Sequence, residues 1–278
     1  MRRVAALIVG VGCALASACS ASDGAAAPGV EASLHRSRLF ETQRKLALNV
    51  HPDGDRDVRV GAIQLDSPLF ETVPPESRDA LVRTSDQTVV MPLPFGAARC
   101  DQEADGPAEL VTDVDGEEVR IPLDESPSDM LADVHAAECD VAAIRADVDL
   151  RMSGRWERTA PRTVEGELEL VQRRPGVTAA VDQVEGNVIF TVGTGTGSGS
   201  GESAPEPVLE VSDDQTSDRV VAVAEASRCD PHALTEYKRT FTFSAWVTVA
   251  DEAPLRIDVE AEGEARRALQ DLLSDCLG

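Results

Sequence analysis

Short runs in which apolar and polar residues alternate fill most of this chain, and turn residues separate them. Leu46-Ala47-Leu48-Asn49-Val50 and Val58-Arg59-Val60 alternate cleanly, then the phase changes into Ile63 and Leu65, which predicts two strands and a bulge. A further strand is predicted around Thr88 to Leu93. Leu110, Thr112 and Val114 then alternate into Asp115-Gly116, and Val119, Ile121 and Leu123 alternate back, the signature of an antiparallel hairpin. Later, Phe241, Phe243, Ala245, Val247 and Val249 share one face, answered by Leu255, Ile257 and Val259. Between these hairpins the alternating run Ile144, Ala146, Val148, Leu150, Met152 is followed by strands predicted at Leu168 to Leu170, Val177 to Val181, Val188 to Val192, Val208 to Val211 and Arg219 to Ala224.

Two segments switch to helical spacing. Ser126-Pro127-Ser128-Asp129 reads as a helix start, and Met130, Leu131 and Val134 lead to Cys139. Leu269, Leu272, Leu273 and Cys276 fall on one helical face after a start near Glu262-Gly263-Glu264. Each helix follows a hairpin and ends in a cysteine, and each hairpin follows one pentapeptide, Ala97-Ala98-Arg99-Cys100-Asp101 or Ala226-Ser227-Arg228-Cys229-Asp230. Pentapeptide, hairpin, helix and cysteine recurring in that order predict an internal duplication. The expected fold is mainly β, with a C-terminal helix per repeat: two tandem immunoglobulin-like β-sandwich domains. The expected boundaries are 33–142 for the first copy and 143–278 for the second. Gly193 to Pro207, GTGTGSGSGESAPEP, has no counterpart and reads as a flexible polar loop (193–207) joining two strands of the second copy.

Composition adds a compartment. Arg2 and Arg3 precede an uncharged, largely apolar run that continues to Asp23, the layout of a secretory signal. Leu15-Ala16-Ser17-Ala18-Cys19 resembles the bacterial lipobox, so residues 1–18 read as a lipoprotein signal peptide, Cys19 as the lipidation site and 19–32 as a flexible tether; Cys13 is a bystander inside the leader. An ordinary cleaved signal, giving a secreted protein, and an uncleaved anchor are the alternatives. The formal net charge of −24 disfavours nucleic acid, and it limits membrane contact to the anchor. The only lysines are Lys45 and Lys238.

Beyond the leader stand Cys100, Cys139, Cys229 and Cys276, for which three connectivities exist. A link inherited by both copies must be internal to each, which predicts Cys100 with Cys139 and Cys229 with Cys276. Zinc is the rival reading, since His135 lies four residues before Cys139 and His232 follows Cys229 at C-x-x-H spacing. The two histidines do not correspond in position, as a shared site would require, and an oxidising compartment favours disulfides.

Candidate chemistry is sparse. The four histidines, His35, His51, His135 and His232, sit in no nucleophile or metalloprotease signature, and neither a catalytic site nor a cofactor is expected. Asp53, Asp55 and Asp57 alternate in a turn as calcium ligands do, but Val58 and Gln64 occupy the positions where an EF-hand loop needs glycine and glutamate, so a charged turn is the better reading. Trp246 shares a strand face with Thr240, Thr242, Ser244 and Thr248, either as a recognition aromatic or packed under a neighbouring segment.

The stretch LALNVHPDGDRDVRVGAIQLDSPLF resembles the opening of immunoglobulin-like modules in uncharacterised actinomycete secreted lipoproteins, and RCDPHALTEYKRTFTF resembles the later part of those modules. The first copy departs from this pattern, with Gln102 to Asp105 where the second has Pro231 to Leu234. The resemblance implies fold and location and no activity. The expectation is therefore a lipid-anchored extracytoplasmic binding or scaffold protein of the cell envelope, not an enzyme, with a protein partner there; a small-ligand or metal-binding envelope lipoprotein is the alternative.

Overall fold

A computed structural model describes residues 29–276 apart from 38, 41–42, 85–87, 102–105, 124 and 196–205, so the leader, Cys19 and most of the 193–207 loop lie outside the described residues. The chain is mainly β, 50% strand against 19% helix, in four antiparallel sheets with a helix at the C-terminus. In the first half, β1 (Val30–His35), β2 (Lys45–Pro52) and β5 (Val89–Pro94) form a sheet in the order β1-β2-β5. The other sheet runs β4-β3-β6-β7, from β3 (Val58–Asp66), β4 (Glu76–Val82), β6 (Glu109–Val114) and β7 (Glu117–Pro122). Helix α1 (Glu125–Asp147) leads directly into the second half. There β8 (Val148–Ala160), β9 (Thr163–Gln172), β11 (Phe190–Thr194) and β13 (Ser217–Ala226) pair in the order β11-β13-β9-β8. Strands β10 (Ala179–Glu185), β12 (Leu209–Val211), β14 (Thr242–Val249) and β15 (Leu255–Glu260) pair as β12-β10-β14-β15, and the short α2 (Pro231–Glu236) and the terminal α3 (Gly263–Cys276) complete the half.

Local chemistry explains the elements. The β6-β7 hairpin turns on Asp115 (φ 53°) and Gly116 (φ 92°), both left-handed as the favoured two-residue turn requires. The Asp113 carboxylate accepts the Gly116 amide at 2.9 Å. The expected phase change in β3 is a bulge: Val60 pairs with Ala80 and Ala62 with Ser77, so Val58 and Val60 face inward before it, and Ile63 and Leu65 after it. In α3 the buried side chains are Ala265, Leu269, Leu272 and Leu273, one helical face as the spacing predicts.

Three expectations change. The first helix does not stop at Cys139 but continues to Asp147, because Val141 to Asp147 is alanine-rich and holds no glycine or proline. Ile144 and Ala146, which read as strand, are therefore helical, and the strand begins at Val148. Strand β1 starts at Val30, within the stretch read as tether.

Each half buries its own core. Phe70 and Phe95 meet edge to face at 5.2 Å in the first, while Trp156, Phe190 and Phe243 fill the second. Helix α1 serves both, with Leu131 and Val134 in the first core and Ile144 in the second.

Candidate functional site

The two pentapeptides hold the chain at the same kind of place. The Arg99 amide donates to the Leu69 carbonyl at 2.9 Å and Phe70 bridges to Ala98; the Arg228 amide donates to the Ile189 carbonyl at 3.3 Å and Phe190 pairs with Ala226. From there each cysteine reaches a helix. Cys100 is bonded to Cys139 in α1 and Cys229 to Cys276 at the end of α3, with Cα atoms 5.4 and 5.5 Å apart, within the range a disulfide spans. The pairing is the one expected from the sequence. Asp230 caps α2, its carboxylate accepting the Ala233 amide at 2.8 Å, and it lies 3.5 Å from the Arg228 guanidinium.

The metal candidates do not assemble. His135 stands 3.6 Å from the Cys139 sulfur and 3.3 Å from the Arg99 carbonyl oxygen, but that sulfur is bonded to Cys100. His232 faces Glu236 at 3.4 Å, and the Cys229 sulfur accepts from Arg162 at 2.7 Å. In the aspartate turn, Asp57 accepts the Thr84 amide at 3.0 Å, tying the turn to the segment after β4, and Arg56 reaches Asp115 at 3.6 Å. Among the described residues no group of three or more His, Cys, Asp or Glu is disposed to hold a metal ion. Trp246 is half-buried on the outer face of β14, its indole donating to Glu185 at 3.1 Å.

A charged ladder covers the outer face of β8, β9 and β13. Glu169, only 4% exposed, accepts two hydrogen bonds from Arg151 at 2.8 and 2.9 Å and two from Arg219 at 2.5 and 2.8 Å. Burial pushes this carboxyl up, but the hydrogen bonds and charges of Arg151 and Arg219 outweigh it and hold the group below the ordinary glutamate value.

A cleft of about 810 Å³ lies where α1 passes between the halves. Its lining carries Arg36, Arg44, Lys45, Arg145, Arg239 and Arg256, drawn from five separate parts of the chain, and includes Leu46, Phe95, Val134 and Val141. Arg44 lies over the Phe95 ring at 5.1 Å, donates to the Gly96 carbonyl at 2.5 Å and pairs with Glu138 at 2.8 Å. Lys45 pairs with Glu76 at 3.4 Å and Arg256 with Glu185 at 3.5 Å. Arg239 pairs with Asp258; burial lowers its affinity for the proton, and the Asp258 hydrogen bond and charge more than restore it. Arg145 donates to the Asp258 backbone carbonyl at 3.3 Å. Sequence reasoning missed this cleft because no local motif marks it, its basic residues being scattered from Arg36 to Arg256. No helix among the described residues is long and apolar enough to cross a membrane.

No family model and no curated protein matches the chain. Among solved structures, the exo-chitosanase CsxA of Amycolatopsis orientalis is 8% identical at a TM-score of 0.22, over 83% of this chain and 26% of that one. A protein of unknown function from Porphyromonas gingivalis W83 is 13% identical at a TM-score of 0.20, over 84% of this chain and 100% of that one. The BSP domain of a biofilm associated protein is 9% identical at a TM-score of 0.22, over 91% of this chain and 63% of that one. The chain thus spans about a quarter of the chitosanase, and similarities this low carry no inference about what it does.

Proposed function

We propose that this protein is a lipid-anchored extracytoplasmic binding protein of the bacterial cell envelope, two tandem immunoglobulin-like β-sandwich modules from an internal duplication, working by contact and not by covalent chemistry. The observation that carries the reading is the pair of disulfides, each tying the segment after a core strand to the helix that follows the next hairpin. Such links persist in oxidising compartments. The shared order of strands supports the duplication: β1-β2-β5 is matched by β8-β9-β13, and β4-β3-β6-β7 by β12-β10-β14-β15. The arginine-flanked leader and Leu15 to Cys19 support export and attachment through a lipid on Cys19, as in the actinomycete lipoproteins the chain resembles. The net charge of −24 favours an anchor over direct contact with anionic headgroups.

The small-ligand alternative is favoured by one specific observation, the cleft beside α1, whose volume lies in the range of ligand sites. The two readings are compatible, because an anchored protein can present that cleft to the envelope. Labelling intact cells with a membrane-impermeant amine reagent tests the location. Lys238 is exposed and is expected to be modified without lysis, while labelling only after lysis contradicts the reading.

A further inference from the structure

We propose that the cleft beside α1 is a binding site for an oligoanion, a ligand carrying phosphate or carboxylate groups at intervals along a chain. The proposal rests on the reading of the chain as a binding protein and names the ligand class of that function.

The lining runs against the rest of the molecule. Acidic residues outnumber basic ones by 50 to 26 over 278 residues, so nineteen residues drawn at random would hold about two basic and three acidic ones. The nineteen that line the cleft hold six basic residues against Glu138 and Asp258. A concave wall of one sign focuses its field into the cleft, where a surface of the opposite sign surrounds it.

The existing partners leave this charge only partly answered. Glu76 is shared between Lys45 and Arg78 at 3.4 and 2.7 Å, and Glu185 is shared between Arg256 and the Trp246 indole. Arg145 is exposed and touches only a backbone oxygen, with no carboxylate partner among the described residues. An arginine offers five donors in a fixed fork, so one backbone bond leaves most of its capacity open to a phosphate or carboxylate.

Spacing points to a ligand with repeated charges and not to a single anion. Arg44 is anchored at Glu138 and Arg145 sits seven residues further along α1, about 10 Å at the helical rise. Along this stretch the helix presents Ala137, Val141 and Ala142 to the cleft, side chains short enough for a ligand backbone to lie close. Arg239 and Arg256 face this strip from the second half, so both halves contribute and the site exists only where α1 joins them.

The test is calorimetric titration of the full chain in detergent, disulfides intact, with short-chain polyphosphate, with oligogalacturonate, and with inorganic phosphate as the single-anion control. At least one of the two oligomers is expected to bind at one site at least tenfold more tightly than inorganic phosphate, and which one binds decides between phosphate and carboxylate. Arg145→Ala and Arg256→Ala each remove a charge-assisted contact and are expected to weaken binding about tenfold or more. Arg173→Ala, on the outer charged ladder where it pairs with Asp149 at 2.9 Å, removes the same charge and is expected to leave binding unchanged. Failure of both oligomers to bind, binding of inorganic phosphate as tight as theirs, or equal losses in all three variants overturns the proposal. Impermeant labelling of Lys238 in intact cells is read separately, so loss of the ligand leaves the envelope reading standing and loss of the location does not.

Discussion

The two halves order their strands alike but seal the same corner with different side chains. In the first, Ser67 stands before Leu69-Phe70 and accepts one amide hydrogen bond, from Leu69 at 3.3 Å, and Phe70 makes only an isolated bridge to Ala98. In the second, Asn187 precedes Ile189-Phe190. Its carboxamide oxygen accepts both amides at 2.9 Å and its nitrogen donates to the Thr240 and Thr242 carbonyls at 3.0 Å. There Phe190 opens a full strand, β11, paired with β13 from Ala226 back to Ala222. One longer polar side chain ties the turn to β14 as well as to itself, and the chain beyond it pairs as a strand. The disulfide, by contrast, occupies the same kind of position in both halves, so covalent closure is shared while edge pairing differs.

Both tryptophans, Trp156 and Trp246, lie in the second half, so fluorescence reports on that half and circular dichroism on both. The largest effect is expected on removing Cys229 and Cys276 together as alanines. The bridge closes 47 residues, worth about 4 kcal/mol in the chain-entropy model, and the loss is read from the fluorescence-detected urea transition. Next, Leu131→Ala hollows the first core at a fully buried position and is expected to cost about 3 kcal/mol. If each core unfolds by itself, the dichroism transition shifts and the fluorescence transition stays. If α1 couples them through Ile144, both move together. Asn187→Ser gives the second half the residue of the first and removes the bonds to Thr240 and Thr242; a loss of about 1–2 kcal/mol in the fluorescence transition is expected.

The smallest effect is in pH dependence. Because the Glu169 carboxyl is held below its ordinary value in the folded chain, its contribution is present above the unfolded value, about 4.3, and is lost as pH falls through the folded one. The fluorescence-detected stability of the native chain should therefore fall more steeply below about pH 4.3 than that of Glu169→Gln, which has no carboxylate there to protonate.

Much of this frame was legible in the amino-acid order. Alternation located the two hairpins and the β3 bulge, and the recurrence of the Cys-centred pentapeptide predicted the right disulfide partners. Legibility failed where two periods overlapped: Ile144 and Ala146 alternate with the strand that follows, yet alanine-rich sequence carries α1 through them. It failed again at β1, whose first residues, Val30 to Ala32, read as polar linker until β2 pairs with them, and at α2, where Asp230-Pro231 is a helix start too short to show a period. The cleft was illegible for a different reason: its cations come from the end of β1, the start of β2, the last turns of α1 and two positions of the second half, which only the tertiary fold brings together. Trp246, conspicuous in the sequence, turned out to be tied to Glu185.

The central claim is an exported chain, attached at Cys19 and closed by one disulfide in each half. Mass spectrometry of non-reduced peptides from the membrane-extracted protein tests both parts at once. The account predicts a lipid-modified N-terminal Cys19 peptide together with linked peptides joining Cys100 to Cys139 and Cys229 to Cys276. An unmodified leader with free thiols, or a linked peptide joining Cys100 to Cys229, would contradict it.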